Sequence, residues 1–325
     1  MGWRLPFSVQ RVLWREALMS DVANKGKSVG PVSRWSARPV DGPRKGRSRG
    51  RRESQQNLWL TILSSLALIA SASQSHADDP CADIARAVEQ LREGDSYQSA
   101  AQLFAAARHG CESEARALLD RGAAIDARDR VGTTALGEAA KAGKTTLIAL
   151  LIDKGATVNA RAVDGSTPLF IAAEADRPPA IQVLLDRGAD PNIPGRGGLR
   201  PLAAAAYTGS ADSAARLLQR GADPNALDDE GKSAIVFAAG RANASIVALL
   251  LGAGVDVNRR YAHGLTALMW AAGYDEASGV EDVDATLKLL IGRGAARDLK
   301  DDRGKTAADI ARALGHSRAA KLLEP

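Results

Sequence analysis

Gly143-Lys144-Thr145-Thr146 is a stretch that resembles the end of a phosphate-binding loop. A lysine and a hydroxyl after such a turn hold phosphate and magnesium when four residues separate the two glycines. Here Gly137 and Gly143 enclose five, and no strand-like run comes before them, so the stretch reads as a turn between two helices. The histidines are His76, His109, His263 and His316. A metal site needs three or four converging donors, and none of the four has a partner at ligand spacing. His109 and His316 stand beside Gly110 and Gly315 and read as turn-surface residues. No Ser or Cys has the base and orienting acid that nucleophilic catalysis needs. No catalytic residue, cofactor or metal site is therefore expected.

Cys81 and Cys111 are the only thiols. If the chain is exported they meet oxidising conditions, and a bridge would tie the first helix, Asp83–Leu91, to the turn of the first helix pair. It would close a loop of about 30 residues and contribute roughly 3–4 kcal/mol in the chain-entropy picture. Two separate, unpaired cysteines are the alternative.

The elements that carry these residues come in two unlike parts. The chain has 325 residues, 45% hydrophobic and 25% charged, which excludes a wholly disordered, collagen-like or disulfide-dense protein. Its net charge of +5 suggests a nucleic-acid partner until it is divided. Residues 1–77 hold 13 Lys and Arg against 4 Asp and Glu, whereas the other 248 hold 30 against 34. The body is thus mildly acidic, without a basic stripe, and nucleic acid is not expected as a partner.

Residues 1–57 include the basic run GPRKGRSRGRR and read as a disordered segment, or as sequence ahead of a misassigned start. The apolar run Leu58–Ala70 and the small residues Ser75 and Ala77 follow in the order of a secretory signal peptide, 58–77, cleaved after Ala77. That run of 13 residues is shorter than the ~20 that span a bilayer. Two other readings stay open: a basic tail with a buried apolar helix, and an uncleaved inner-membrane anchor. The expected location is the periplasm or the cell exterior, with membrane contact only through an uncleaved signal segment.

Beyond residue 98 one pattern recurs. Gly122, Gly155, Gly188, Gly221, Gly254 and Gly294 are separated by 33, 33, 33, 33 and 40 residues. Gly132, Gly165, Gly198, Gly231, Gly264 and Gly304 keep the same steps, so one insertion of seven residues explains the last. Such a period indicates a solenoid. Each unit reads as an Ala-rich helix, a break, a helix ending Leu-Leu, and a Gly-Ala turn. Thr-Pro-Leu at 167–169 and Thr-Ala-Leu at 134–136 and 266–268 complete the pattern.

On these residues the chain resembles ankyrin-repeat proteins, of an exported bacterial type. The resemblance implies an all-α repeat solenoid of helix-turn-helix units with β-hairpin or loop tips, covering 99–325 in about six units after an N-terminal capping helix in 78–98. One departure concerns the position after the signature Leu, where the family has His and this chain has Gly137, Phe170, Ala203, Val236, Met269 and Asp309. The helix-start hydrogen bonding usual in the family is thereby put in question.

The resemblance also implies a concave face of loop tips and first helices that binds a protein. Six residues after each loop glycine stand Glu138, Ile171, Ala204, Phe237, Trp270 and Ile310, and nearby are Tyr207, Tyr261, His263 and Tyr274. Phe237, Tyr261, Trp270 and Tyr274 gather on the fourth and fifth units; the expected partner-binding residues are these four with Tyr207 and His263. The alternative is that Phe237 and Trp270 pack the core between repeats. The insertion Gly273–Asp284 carries five carboxylates without the spacing of a calcium loop, and either reads a basic partner or is a tolerated surface loop. The function expected is a monomeric, non-enzymatic module that binds an unidentified protein, or else a secreted effector or toxin-like protein acting on another cell.

Overall fold

The computed structural model describes residues 79–92, 94–274 and 279–324, without the side chains of 280 and 281. The readings of 1–57, of the signal segment 58–77, of cleavage after Ala77 and of most of the insertion's tip lie outside the described residues. All described residues belong to one compact unit, Ile69–Pro325.

The helices are α1 (Pro80–Gln90), α2 (Ser96–His109), α3 (Glu112–Asp120), α4 (Ala135–Ala142), α5 (Thr145–Asp153), α6 (Pro168–Glu174), α7 (Pro178–Asp186) and α8 (Pro201–Thr208). They continue with α9 (Ala211–Gln219), α10 (Ala234–Gly240), α11 (Ala244–Gly252), α12 (Ala267–Ala272), α13 (Val280–Gly292), α14 (Ala307–Ala313) and α15 (Ser317–Leu323). Helix α1 precedes seven pairs, from α2/α3 to α14/α15. Helix α2 begins at Ser96, N-capped by Asp95, so the segment 78–98 holds α1 and the first turn of the next helix. No strand occurs among the described residues, and the tips are turns rather than β-hairpins. Neighbouring tips still touch through the backbone, as where Val163 N–H donates to Val131 O at 3.0 Å.

Composition explains this arrangement. First helices of six to eight residues bury Ala139-Ala140, Ala172-Ala173, Ala205-Ala206, Ala238-Ala239 and Ala271-Ala272 completely. With only methyl groups between them, first helices approach one another more closely than second helices do, so the row curves with the first helices inside. Second helices supply the bulk, with Leu147, Ile148, Leu151, Ile181, Leu184, Leu217 and Ile246 fully buried. Each second helix from α3 to α13 then stops at a glycine in the left-handed region, φ +83° to +97°, where a Cβ would be strained.

Without the histidine, four of the six first helices from α4 to α14 keep a side-chain cap, while α8 and α10 start at Arg200 and Ser233 without one. Thr134, Thr167, Thr266 and Thr306 accept the N–H groups of Gly137, Phe170, Met269 and Asp309 at 3.2–3.4 Å. Phe170 instead packs on the next tip, where a Cβ on Gly195 would lie 2.8 Å from its ring.

Cys81 and Cys111 are bridged, and so join the start of α1 to the start of α3. The guanidinium of Arg121 holds the other end of α1 by donating to Val88 O and Leu91 O. A helix whose buried residues are Ile84 and Val88 is thus fastened at both ends.

Candidate functional site

The phosphate-loop look-alike is a helix junction. Gly143 is the left-handed C-cap of α4, Lys144 the N-cap of α5, and Thr145 the first residue of α5. Among the described residues, three potential metal donors come together at Cys81, Cys111 and Glu114, within 4.8 Å of one another. The two sulfurs are consumed by their own bond, which leaves a single carboxylate. His109 ends α2, exposed. His316 departs from the surface reading: its ring stacks on Tyr274 at 3.9 Å, and its Nδ1 lies 3.0 Å from Ala272 O.

On the inner face the two halves differ. Toward the N-terminus its charges pair internally, Arg108 with Glu138 at 3.2 Å and Arg196 with Glu174, while Arg177 donates to Lys141 O. Toward the C-terminus the first helices carry aromatic rings. Tyr207 of α8 meets Phe237 of α10 edge to face at 6.1 Å. In this half Arg241 lies 4.8 Å from the Tyr207 ring, and Lys232, paired with Glu230 at 2.8 Å, lies 5.4 Å from Trp270. Gly240 leaves space beside Trp270, since a Cβ there would only touch the indole at 3.8 Å. Tyr274 and His316 close the row.

Tyr207, Phe237, Trp270 and Tyr274 are half-buried. Phe237, Trp270 and Tyr274 pack on the core by one edge, as the core reading required of Phe237 and Trp270, and all four rings remain partly open to solvent. The structure therefore brings four of the six expected binding residues into one face. His263 is exposed at its tip, at φ +59°. Tyr261 is the correction. It is only 7% exposed, and its ring fills the place that Asp129, Asp228 and Asp301 take in other tips. Burial pushes its phenol above the usual tyrosine range, tempered by the hydroxyl of Ser233 and the charge of Arg259. A side chain so enclosed offers little to a partner.

Arg241, Lys232 and His316 complete the face and are absent from the sequence-based set. The repeat period could have found Arg241, which stands ten residues after its loop glycine in the column that also holds Tyr274. His316 could not be found that way, because it reaches back from the following pair.

Among the described residues no helix is long and apolar enough to cross a membrane. Residues 103–194 and 202–282 match the family model described as ankyrin repeats in three copies. No curated protein matches the chain.

Proposed function

The chain belongs to the ankyrin-repeat family, whose members are typically non-enzymatic binding modules, and on that premise we propose that it is a non-enzymatic interaction module, exported to the periplasm, whose inner face binds another protein. The observation that carries the reading is the half-buried aromatic row Tyr207, Phe237, Trp270 and Tyr274, with Arg241 and Lys232 laid on two of its rings. Fixed from below, these rings lose little conformational freedom on association, and Trp, Tyr and Arg are the types on which binding energy concentrates. The row is thus the part of the face best suited to a partner.

Export is supported by the order of residues before Asp78 and by a disulfide that an oxidising compartment preserves. The test is in-cell photo-crosslinking from a probe at position 270, with position 116 on exposed α3 as control. A single protein captured at 270 and not at 116 is expected, from a chain whose N-terminus reads Asp78. Absence of any adduct at 270 in abundant folded protein overturns the binding face, and an N-terminus upstream of residue 58 overturns cleavage.

A further inference from the structure

The side of the stack formed by second helices carries a ladder of ion pairs that stops partway. A cation at each C-cap reaches back to the last residue of the preceding second helix: Lys154 to Asp120 at 2.7 Å, Arg187 to Asp153, and Arg220 to Asp186. Arg121 makes the same reach to the carbonyls that end α1. At the next step the two positions hold Gln219 and Ala253, and at the one after, Gly252 and Arg293. Three consecutive charge pairs are followed by two steps without one.

Where the ladder stops, a groove of about 540 Å³ opens between α9 and α11. Leu218 and Leu249 line it with the small residues Ala215, Ala248, Gly252 and Ala253 and the uncharged polar Gln219 and Ser245. The column of Ala215 and Ala248 holds Arg116, Ala149 and Gln182 before the groove and Lys288 after it, so the groove is the place where two successive positions of the column are alanine. Arg293, exposed at the C-cap of α13, stands in the register from which Lys154, Arg187 and Arg220 find their aspartates, and it has Gly252 opposite.

We propose that this groove docks an α-helix of a partner protein, with apolar side chains between Leu218 and Leu249 and a carboxylate on Arg293. Charge complementarity selects that occupant. The residues lining the groove are uncharged, so it favours an apolar stripe, and Arg293, whose register faces Gly252 of that lining, lacks the aspartate that its three counterparts have. The surface is separate from the aromatic row, because it is built from second helices.

The test is selection on the full chain from a display library of roughly 12-residue helical peptides, with leucines at helical spacing and Glu, Gln or Lys at either end. Enrichment of Glu peptides is expected, and Arg293→Glu should turn the preference to Lys. Gly252→Asp restores the missing rung, and its Cβ meets nothing within 4 Å. It should weaken the best Glu peptide by about tenfold while leaving helicity and Tm intact. Trp270→Ala should leave that affinity unchanged. A selection without charge preference, a preference that survives Arg293→Glu, or loss of binding in Trp270→Ala overturns the proposal.

Discussion

Asp301 and Asp309 show how single residues hold the last repeat. Burial opposes the charge on Asp301, but the N–H groups of Lys305 and Arg303 and the Arg303 guanidinium outweigh it and hold the carboxyl below the usual range. Asp309 is lowered by the backbone N–H of Thr306 at 3.0 Å and its hydroxyl at 2.8 Å, aided by Arg312. A lowered folded pKa contributes stability that is present above the unfolded value of ~3.9 and lost as pH falls through the folded one. Urea midpoints compared at about pH 6 and about pH 3 should therefore fall more in the wild type than in Asp301→Asn or Asp309→Asn. At Cys81 and Cys111 the expected outcome is a lower melting temperature after treatment with a dithiol, on the scale of roughly 3 kcal/mol. Cys81→Ser should reproduce the loss without reductant. Coincident melting curves would mean that Arg121 and the small buried face of α1 suffice.

Elements depend on one another across repeats, and the contact of Phe170 with Gly195 is the sharpest case. Gly195 has φ −92°, which any residue adopts, so the obstacle to a side chain there is the ring 2.8 Å from its Cβ. Gly195→Ala should cost about 1–3 kcal/mol in chemical denaturation. Adding Phe170→Leu should return part of that cost, and additivity of the two changes would refute the contact. Thr167→Ala tests the start of the same helix, and loss of its capping bond to Phe170 N should cost about 1 kcal/mol. Both effects belong to α6 and its neighbours.

The whole molecule is a row in which each pair touches only the pairs beside it, so end pairs have half the support of central ones. Among the described helices α15 packs on α13 and α14 alone, whereas α6 to α11 are flanked on both sides. Amide exchange should be slowest in α6–α11 and fastest in α15 among the described helices, with α1 joining the fast group on reduction. Uniform protection along the row would contradict the nearest-neighbour picture. The two faces also divide at this scale. The inner one gains aromatic rings toward the C-terminus, and the outer one passes from an ion-pair ladder to an apolar groove.

By itself the sequence determined the class of fold, because a 33-residue glycine period leaves the backbone few other ways to bury the Leu-Leu pairs. It also pointed to the half of the row where Phe237, Trp270 and Tyr274 stand, since columns in a repeat become neighbours in space. What it could not decide was depth. Tyr261 and His263 are two residues apart on one tip, yet one is buried and the other exposed, and only packing against the neighbouring repeat separates them. His316 lay equally out of reach, because its stack on Tyr274 joins residues from different pairs across the insertion. The tips show the same limit: tip-to-tip backbone contacts favoured hairpins, but too few bonds form for any strand to result. Local spacing dictates which residues repeat, while exposure depends on the volume of whatever the next repeat places against them, and only the tertiary structure supplies that.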